Sequence, residues 1–152
     1  MKVVKLKTSS PVYLRNAMME MAFEFQEILN EGPNELKIAN GLESILRENS
    51  PGHAFVLCTD DGEPAGMVYC NIGCGLQSGG PYLWINGIYV RKPHQGEGTG
   101  KFFLDYILEW GKSKGCIYAI ASRHTENAAS KMLFQKGGFD QELSIIMDRR
   151  LD

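Results

Sequence analysis

Apolar and polar positions along the chain alternate between two periods, and the switches between them mark its elements. Val3 to Lys7 alternates apolar and charged residues, as a half-buried strand does. Ser9 or Ser10 before Pro11 reads as a helix start, with Pro at the first helical position. Leu14, Met18, Met21, Ala22, Phe25, Ile28 and Leu29 then recur at helical spacing, which makes them a core stripe rather than a ligand cradle. Glu31-Gly32-Pro33-Asn34 ends that helix. A second covers Glu35 to Glu48, with Leu36, Ala39, Leu42, Ile45 and Leu46 on one face. His53 to Thr59 and Ala65 to Ile72 read as strands joined by a hairpin turn at Asp60-Asp61-Gly62-Glu63. A glycine-rich loop from Gly73 to Gly80 leads to a strand from Tyr82 to Val90. Asn86-Gly87 within it predicts a bulge or a close approach to the backbone. Thr99 to Lys114 is an amphipathic helix with Phe102, Phe103, Tyr106, Ile107 and Trp110 on one face. Cys116 to Ala121 is a short strand. Thr125 caps a helix running to Lys136, closed by Gly137-Gly138, and Ser144 to Met147 forms a last strand.

This order predicts an α/β (α+β) domain with a mixed sheet and helices on both faces. No repeat, linker or low-complexity stretch divides residues 1–152, so a single domain is expected. Apolar content of 43% and charged content of 22% are those of a soluble globular protein. A net charge of −2 argues against a general nucleic-acid binder, which needs a basic surplus. No apolar run nears the ~20 residues that cross a membrane, and no secretion signal is visible, which implies the cytoplasm. Cys58, Cys70, Cys74 and Cys116 lack metal-ligand spacing, so no metal is expected and they read as core residues or free thiols.

The candidate chemistry lies between the Tyr82–Val90 strand and the Thr99–Lys114 helix. A strand, a glycine-rich turn and a helix start make an anion site, because turn and helix N–H groups point at the ligand. The dinucleotide fingerprint fails here: Gly96 and Gly98 fit, but its sixth position is Lys101. The triphosphate loop also fails, with Gln95 at its first glycine and Phe102 at its last position. The pattern present is Gln95-x-x-Gly98-x-Gly100.

That spacing resembles the acetyl-coenzyme A turn of the GCN5-related N-acetyltransferases. Asn127-x-x-Ser130-x-x-Leu133-Phe134-x-x-x-Gly138-Phe139 is similar to a second block of that family, with Ser130 for the usual Ala and Phe134 for the usual Tyr. The resemblance is specific from about Tyr82 to Phe139. It implies a mostly antiparallel central sheet of six to seven strands with about four helices on its two faces. It also implies acetyl transfer from acetyl-CoA to a primary amine of a small molecule or peptide by direct attack in a ternary complex, with a homodimer as a compatible assembly. Gln95, Gly96, Glu97, Gly98, Thr99, Gly100 and Lys101 would hold the pyrophosphate. Ile88, Tyr89 and Val90 would pair with the pantetheine arm like an added strand, and Asn127, Ser130 and Phe134 would line it.

The proton-transfer groups depart from the family. Trp84 and Asn86 stand where relatives carry an acidic residue; Asn86 is left to hold a water. Phe134 has no proton to give a departing thiolate. His94, His124, Tyr89 and Tyr118 are spare candidates, more often structural or surface residues. A non-catalytic acyl-CoA sensor is therefore the competing reading. The amine pocket is expected from the two N-terminal helices and the Gly73–Pro81 loop.

Overall fold

A computed structural model describes residues 1–151. Five strands form one sheet in the order β1 (Lys2–Lys5), β2 (Gly52–Cys58), β3 (Pro64–Gly75), β4 (Gly80–Val90), β5 (Tyr118–Ala121). β1 to β4 run antiparallel to their neighbours, and β5 pairs with β4 in parallel. The parallel step requires a crossover, which is supplied by α3 (Thr99–Ser113). The other helices are α1 (Val12–Ile28), α2 (Glu35–Leu46) and α4 (Ala128–Lys136).

Two cores lie on the two faces of the sheet. α1 and α2 bury Leu14, Met18, Met21 and Leu42 against Ala54, Val56 and Met67. α3 and α4 bury Phe103, Leu104, Ile107 and Phe134 against Phe55, Val68, Leu83 and Ile85. Alternating residues of the middle strands thus feed opposite cores, and this is why β2 and β3 read as apolar on both sides. The buried stripe of α3 centres on Phe103, Leu104 and Ile107. Phe102 and Tyr106, expected beside them, are 45% and 41% exposed.

Three expectations are corrected. Ser144 to Met147 makes no strand: the chain from residue 141 to 151 has no regular structure, and the sheet has five strands rather than six to seven. An apolar run alone does not make a strand: it must also pair, and this one pairs with no strand among the described residues, although β5 is an open edge. The α4 cap is Asn127, not Thr125, because Asn127 Oδ1 accepts the Ser130 N–H at 3.1 Å. Both residue types cap well, so composition did not separate them. The Gly73–Pro81 segment is the tip of the β3–β4 hairpin, with both strands reaching into the glycines.

Candidate active site

β4 is interrupted by the bulge that Asn86-Gly87 predicted. Tyr69 pairs with Gly87 and Cys70 with Ile85, so Asn86 is the extra residue. Pairing of β4 with β5 ends at Ile85–Ala121, after which Ser122 N–H donates a last bond to the Ile85 carbonyl at 3.1 Å. Beyond the bulge the two strands part, leaving one edge of Ile88 to Val90 vacated. Arg91 N–H donates to Ala65 O on β3. By antiparallel alternation the Tyr89 peptide groups also face β3, and those of Ile88 and Val90 face the vacated side. Gln95 marks that side: its Nε2 donates to the Val90 carbonyl at 2.8 Å and ties the turn to the strand end.

The turn after β4 runs through one 3-10 turn, Lys92–His94, then three successive left-handed residues. Gly96, Glu97 and Gly98 have φ of 90°, 52° and 80°. This conformation aims consecutive N–H groups into one concavity. The N–H groups of Gly96, Glu97, Gly98, Gly100 and Lys101 have no partner among the described residues. Thr99 N–H is spent within the turn on Gly96 O, at 3.1 Å. α3 has no side-chain cap, and a Cβ at Gly96 or Gly98 would meet open space. The Lys101 ammonium is held by both Asp105 oxygens at 2.6 Å, so Lys101 offers its N–H more than its charge.

Next to this edge lies a cavity of about 210 Å³. It is walled by Phe25, Leu29 and Glu31 from the end of α1 and just beyond, by Asn86 and Ile88 on β4, by Ser122 to His124 after β5, and by Asn127, Ser130 and Phe134 at α4. α2 and the Gly73–Pro81 loop, expected in the pocket, contribute nothing to this wall. Asn86 Oδ1 accepts Asn71 Nδ2 at 2.6 Å, which leaves its own amide N–H groups as what it can offer. Asn127 spends Oδ1 on the α4 cap and keeps Nδ2. Ser130 spends both its N–H and its Oγ on Asn127. Phe134 is 6% exposed and packs edge-on against Phe139, at 5.2 Å between ring centres.

Of the spare candidates, only His124 reaches the cavity. Its Nδ1 accepts Glu126 N–H at 3.3 Å, so the neutral ring carries its proton on Nε2 and presents a donor. His94 sits on the far side of the turn, 3.9 Å from Glu63, and Tyr118 lies exposed on β5. Tyr89 points to the opposite face. Burial and then Glu24 raise its phenol further, which keeps it protonated.

Sequence reasoning missed the groups around Tyr89. Glu24 on α1 accepts Arg91 Nη2 at 2.8 Å, Arg91 Nε at 3.2 Å and the Tyr89 hydroxyl at 3.2 Å. This clamp fastens α1 to the end of β4, and Phe25 stacks on Tyr89 beside it. Glu31 was also missed. A carboxylate after a helix is ordinary in a sequence, and only the fold turns it toward a cavity.

The acetyltransferase (GNAT) family profile matches residues 15–139. An aminoglycoside N(6')-acetyltransferase type 1 from Salmonella typhimurium is 24% identical over 121 residues, covering 78% of this chain and 81% of its own. One from Stenotrophomonas maltophilia is 23% identical over 104 residues, covering 66% and 68%. A probable acetyltransferase structure superposes with a TM-score of 0.82 at 15% identity, covering 100% of this chain and 99% of that one. An aminoglycoside N-acetyltransferase solved with CoA does so at 0.73 and 20% identity, covering 99% and 95%. A turn whose N–H groups lack partners among the described residues, a β4 parted from β5 and a profile match over most of the chain converge: this protein belongs to the GNAT family and is an acetyl-CoA-dependent N-acetyltransferase.

Proposed function

We propose that the enzyme acetylates a primary amine of a polycationic small molecule of the aminoglycoside kind, by direct attack in a ternary complex. The observation that carries this reading is the continuity of the unpartnered turn, the vacated β4 edge and the cavity, with Ile88 shared by edge and cavity wall. The relatives named as aminoglycoside N(6')-acetyltransferases support the substrate class.

In this reading the free N–H groups of Gly96 to Gly98, Gly100 and Lys101 hold the pyrophosphate, in the open space where a Cβ at Gly96 or Gly98 would stand. The outward peptide groups of Ile88 and Val90 pair with the pantetheine arm, and an N–H there polarises the thioester carbonyl. Asn127 Nδ2 supports the arm from the other side. Glu31 supplies an acceptor for a cationic amine group entering the cavity. Attack by the neutral amine nitrogen on the thioester carbon forms the C–N bond and breaks the C–S bond. The amine proton passes to water, for which Asn86 and His124 offer donors that hold its oxygen. The thiol ionises near pH 8.5, so the thiolate leaves without a dedicated acid.

A thiol-release assay over aminoglycosides, polyamines, amino acids and peptides tests this. Aminoglycosides bearing a 6'-amine should exceed peptide amines in kcat/KM by about tenfold or more. Faster turnover of peptide amines would overturn the substrate class and leave the acetyl-CoA site standing.

A further inference from the structure

Tyr69 reaches the active-site cavity from β3, across β4. It pairs with Gly87 at the bulge, and its half-buried side chain forms part of the cavity wall beside Asn86 and Ile88. A Cβ at Gly87 would lie 2.5 Å from Tyr69 Cε1, 3.0 Å from Tyr69 Cζ and 3.2 Å from Phe25 Cε1. Gly87 is not among the residues with left-handed backbone, so its missing side chain serves space rather than conformation. The outer edge of the Tyr69 ring rests where that side chain would stand. The hydroxyl is thereby carried over β4 at the place where β4 and β5 part. It makes no hydrogen bond among the described residues, whereas the Tyr89 hydroxyl is engaged by Glu24. Burial, and then the charge of Glu31, raise the Tyr69 phenol, which keeps it protonated.

A neutral amine that enters a cavity to attack a carbonyl needs an acceptor for the N–H it keeps. Most side-chain acceptors of this wall are already engaged. Asn86 Oδ1 accepts from Asn71, and Ser122 Oγ accepts from Trp84 Nε1 at 2.9 Å. His124 Nδ1 accepts from Glu126 N–H and Asn127 Oδ1 from Ser130 N–H, while Ser130 Oγ is turned to the Asn127 carbonyl. The Glu31 carboxylate and the Tyr69 hydroxyl remain. Of the two, Tyr69 stands over the residue next to Ile88, at the edge proposed to hold the thioester.

We infer that the Tyr69 hydroxyl oxygen accepts one N–H of the attacking amine and so aims the nitrogen lone pair at the thioester carbon. The inference rests on the cavity being the amine site, as proposed above. Tyr69 transfers no proton: it holds the N–H that the amide product retains, and the other amine proton leaves to water. Glu31 is left to receive a cationic group elsewhere on the substrate.

Tyr69→Phe tests the inference, because it removes the hydroxyl and keeps the ring over Gly87. The amine is whichever gives the highest kcat/KM in the thiol-release screen. A peptide amine in first place would overturn the aminoglycoside reading and leave this test standing. In Tyr69→Phe the kcat/KM for that primary amine should fall by about tenfold, with acetyl-CoA affinity and melting temperature unchanged. The N-methyl derivative of the same amine has a single N–H, which the reaction removes, so it has none to give Tyr69. The preference of the enzyme for the primary amine over this derivative should therefore shrink by about the same tenfold in Tyr69→Phe. A wild-type kcat/KM or an undiminished preference overturns the inference. A fall that comes with weaker acetyl-CoA binding and a lower melting temperature overturns it too, and makes Tyr69 a packing residue.

Discussion

α3 and α4 begin in opposite ways. α4 caps itself: Asn127 Oδ1 takes the Ser130 N–H, and Ser130 Oγ returns a bond to the Asn127 carbonyl at 3.1 Å. α3 starts on Gly98 in a left-handed conformation with no side-chain acceptor, and the five N–H groups of the turn and first helical positions have no partner among the described residues. One start is closed by the protein and the other is left open among the described residues. A helix start without a side-chain cap, worth about 1 kcal/mol, suits an anion as acceptor, which is the role proposed above for the pyrophosphate.

Filling the open start is the largest expected disturbance. Gly98→Asp places a side chain at φ 80°, where L residues are strained, and puts a carboxylate in the proposed pyrophosphate site. Acetyl-CoA affinity by calorimetry should fall by about 100-fold or more. Wild-type affinity in a folded Gly98→Asp protein would mean that the turn is not the cofactor cradle.

Gly100→Ala separates ligand from fold. Its Cβ would lie 3.5 Å from Leu133, an ordinary contact, so the protein itself has room. Replacing helical glycine by alanine stabilises by about 0.4–1 kcal/mol, so the melting temperature should rise by about 1–4 °C. The KM for acetyl-CoA should nonetheless rise by about tenfold, because the methyl is added to a residue whose own N–H is one of the unpartnered donors of the proposed pyrophosphate site. A better-folded enzyme with an unchanged KM would place the ligand elsewhere.

On the closed side, Phe134→Tyr adds a hydroxyl beside the proposed thiolate exit. Turnover should rise by about fivefold with acetyl-CoA affinity unchanged, less than a shaped general acid contributes. A slower protein with a lower melting temperature would make Phe134 purely a partner of Phe139.

The smallest effect sharpens the comparison most. Asn127→Ala loses the cap and the free Nδ2 together, so melting temperature should drop by about 2–4 °C and KM for acetyl-CoA rise by about threefold. Asn127→Asp keeps the acceptor and loses only the donor. It should restore the melting temperature and leave the KM raised. Recovery of both would show that Asn127 serves α4 alone.

The same contrast explains what the sequence disclosed. Glycine at φ near 80° is a local requirement, so Gly96 and Gly98 were legible from spacing alone. Asn86-Gly87 announced the bulge by a different local signal, a glycine inside a strand pattern. Gln95 was legible as part of a pattern, but its bond to Val90 O depends on how the turn folds back over the strand. Glu24 and Arg91 are 67 residues apart, and the Asn71–Asn86 bond joins two strands, so neither had a local signal. The run from Ser144 to Met147 had the composition of a strand, but pairing is a property of two segments, and this chain leaves it alone.

The parting of β4 from β5 gives the protein a thermodynamic handle. If acetyl-CoA occupies the vacated edge of Ile88 to Val90, it takes the place of a missing strand, and its binding energy becomes folding energy. At a hundredfold excess over its dissociation constant it should add about 2.7 kcal/mol to global stability. Amide hydrogens that face the gap, at Ile88 and Val90, should then exchange more slowly in its presence, while that of Tyr89, already bonded to β3, should change only with the global stability. Exchange rates at three consecutive residues would thus give the orientation of the bound arm without a crystal.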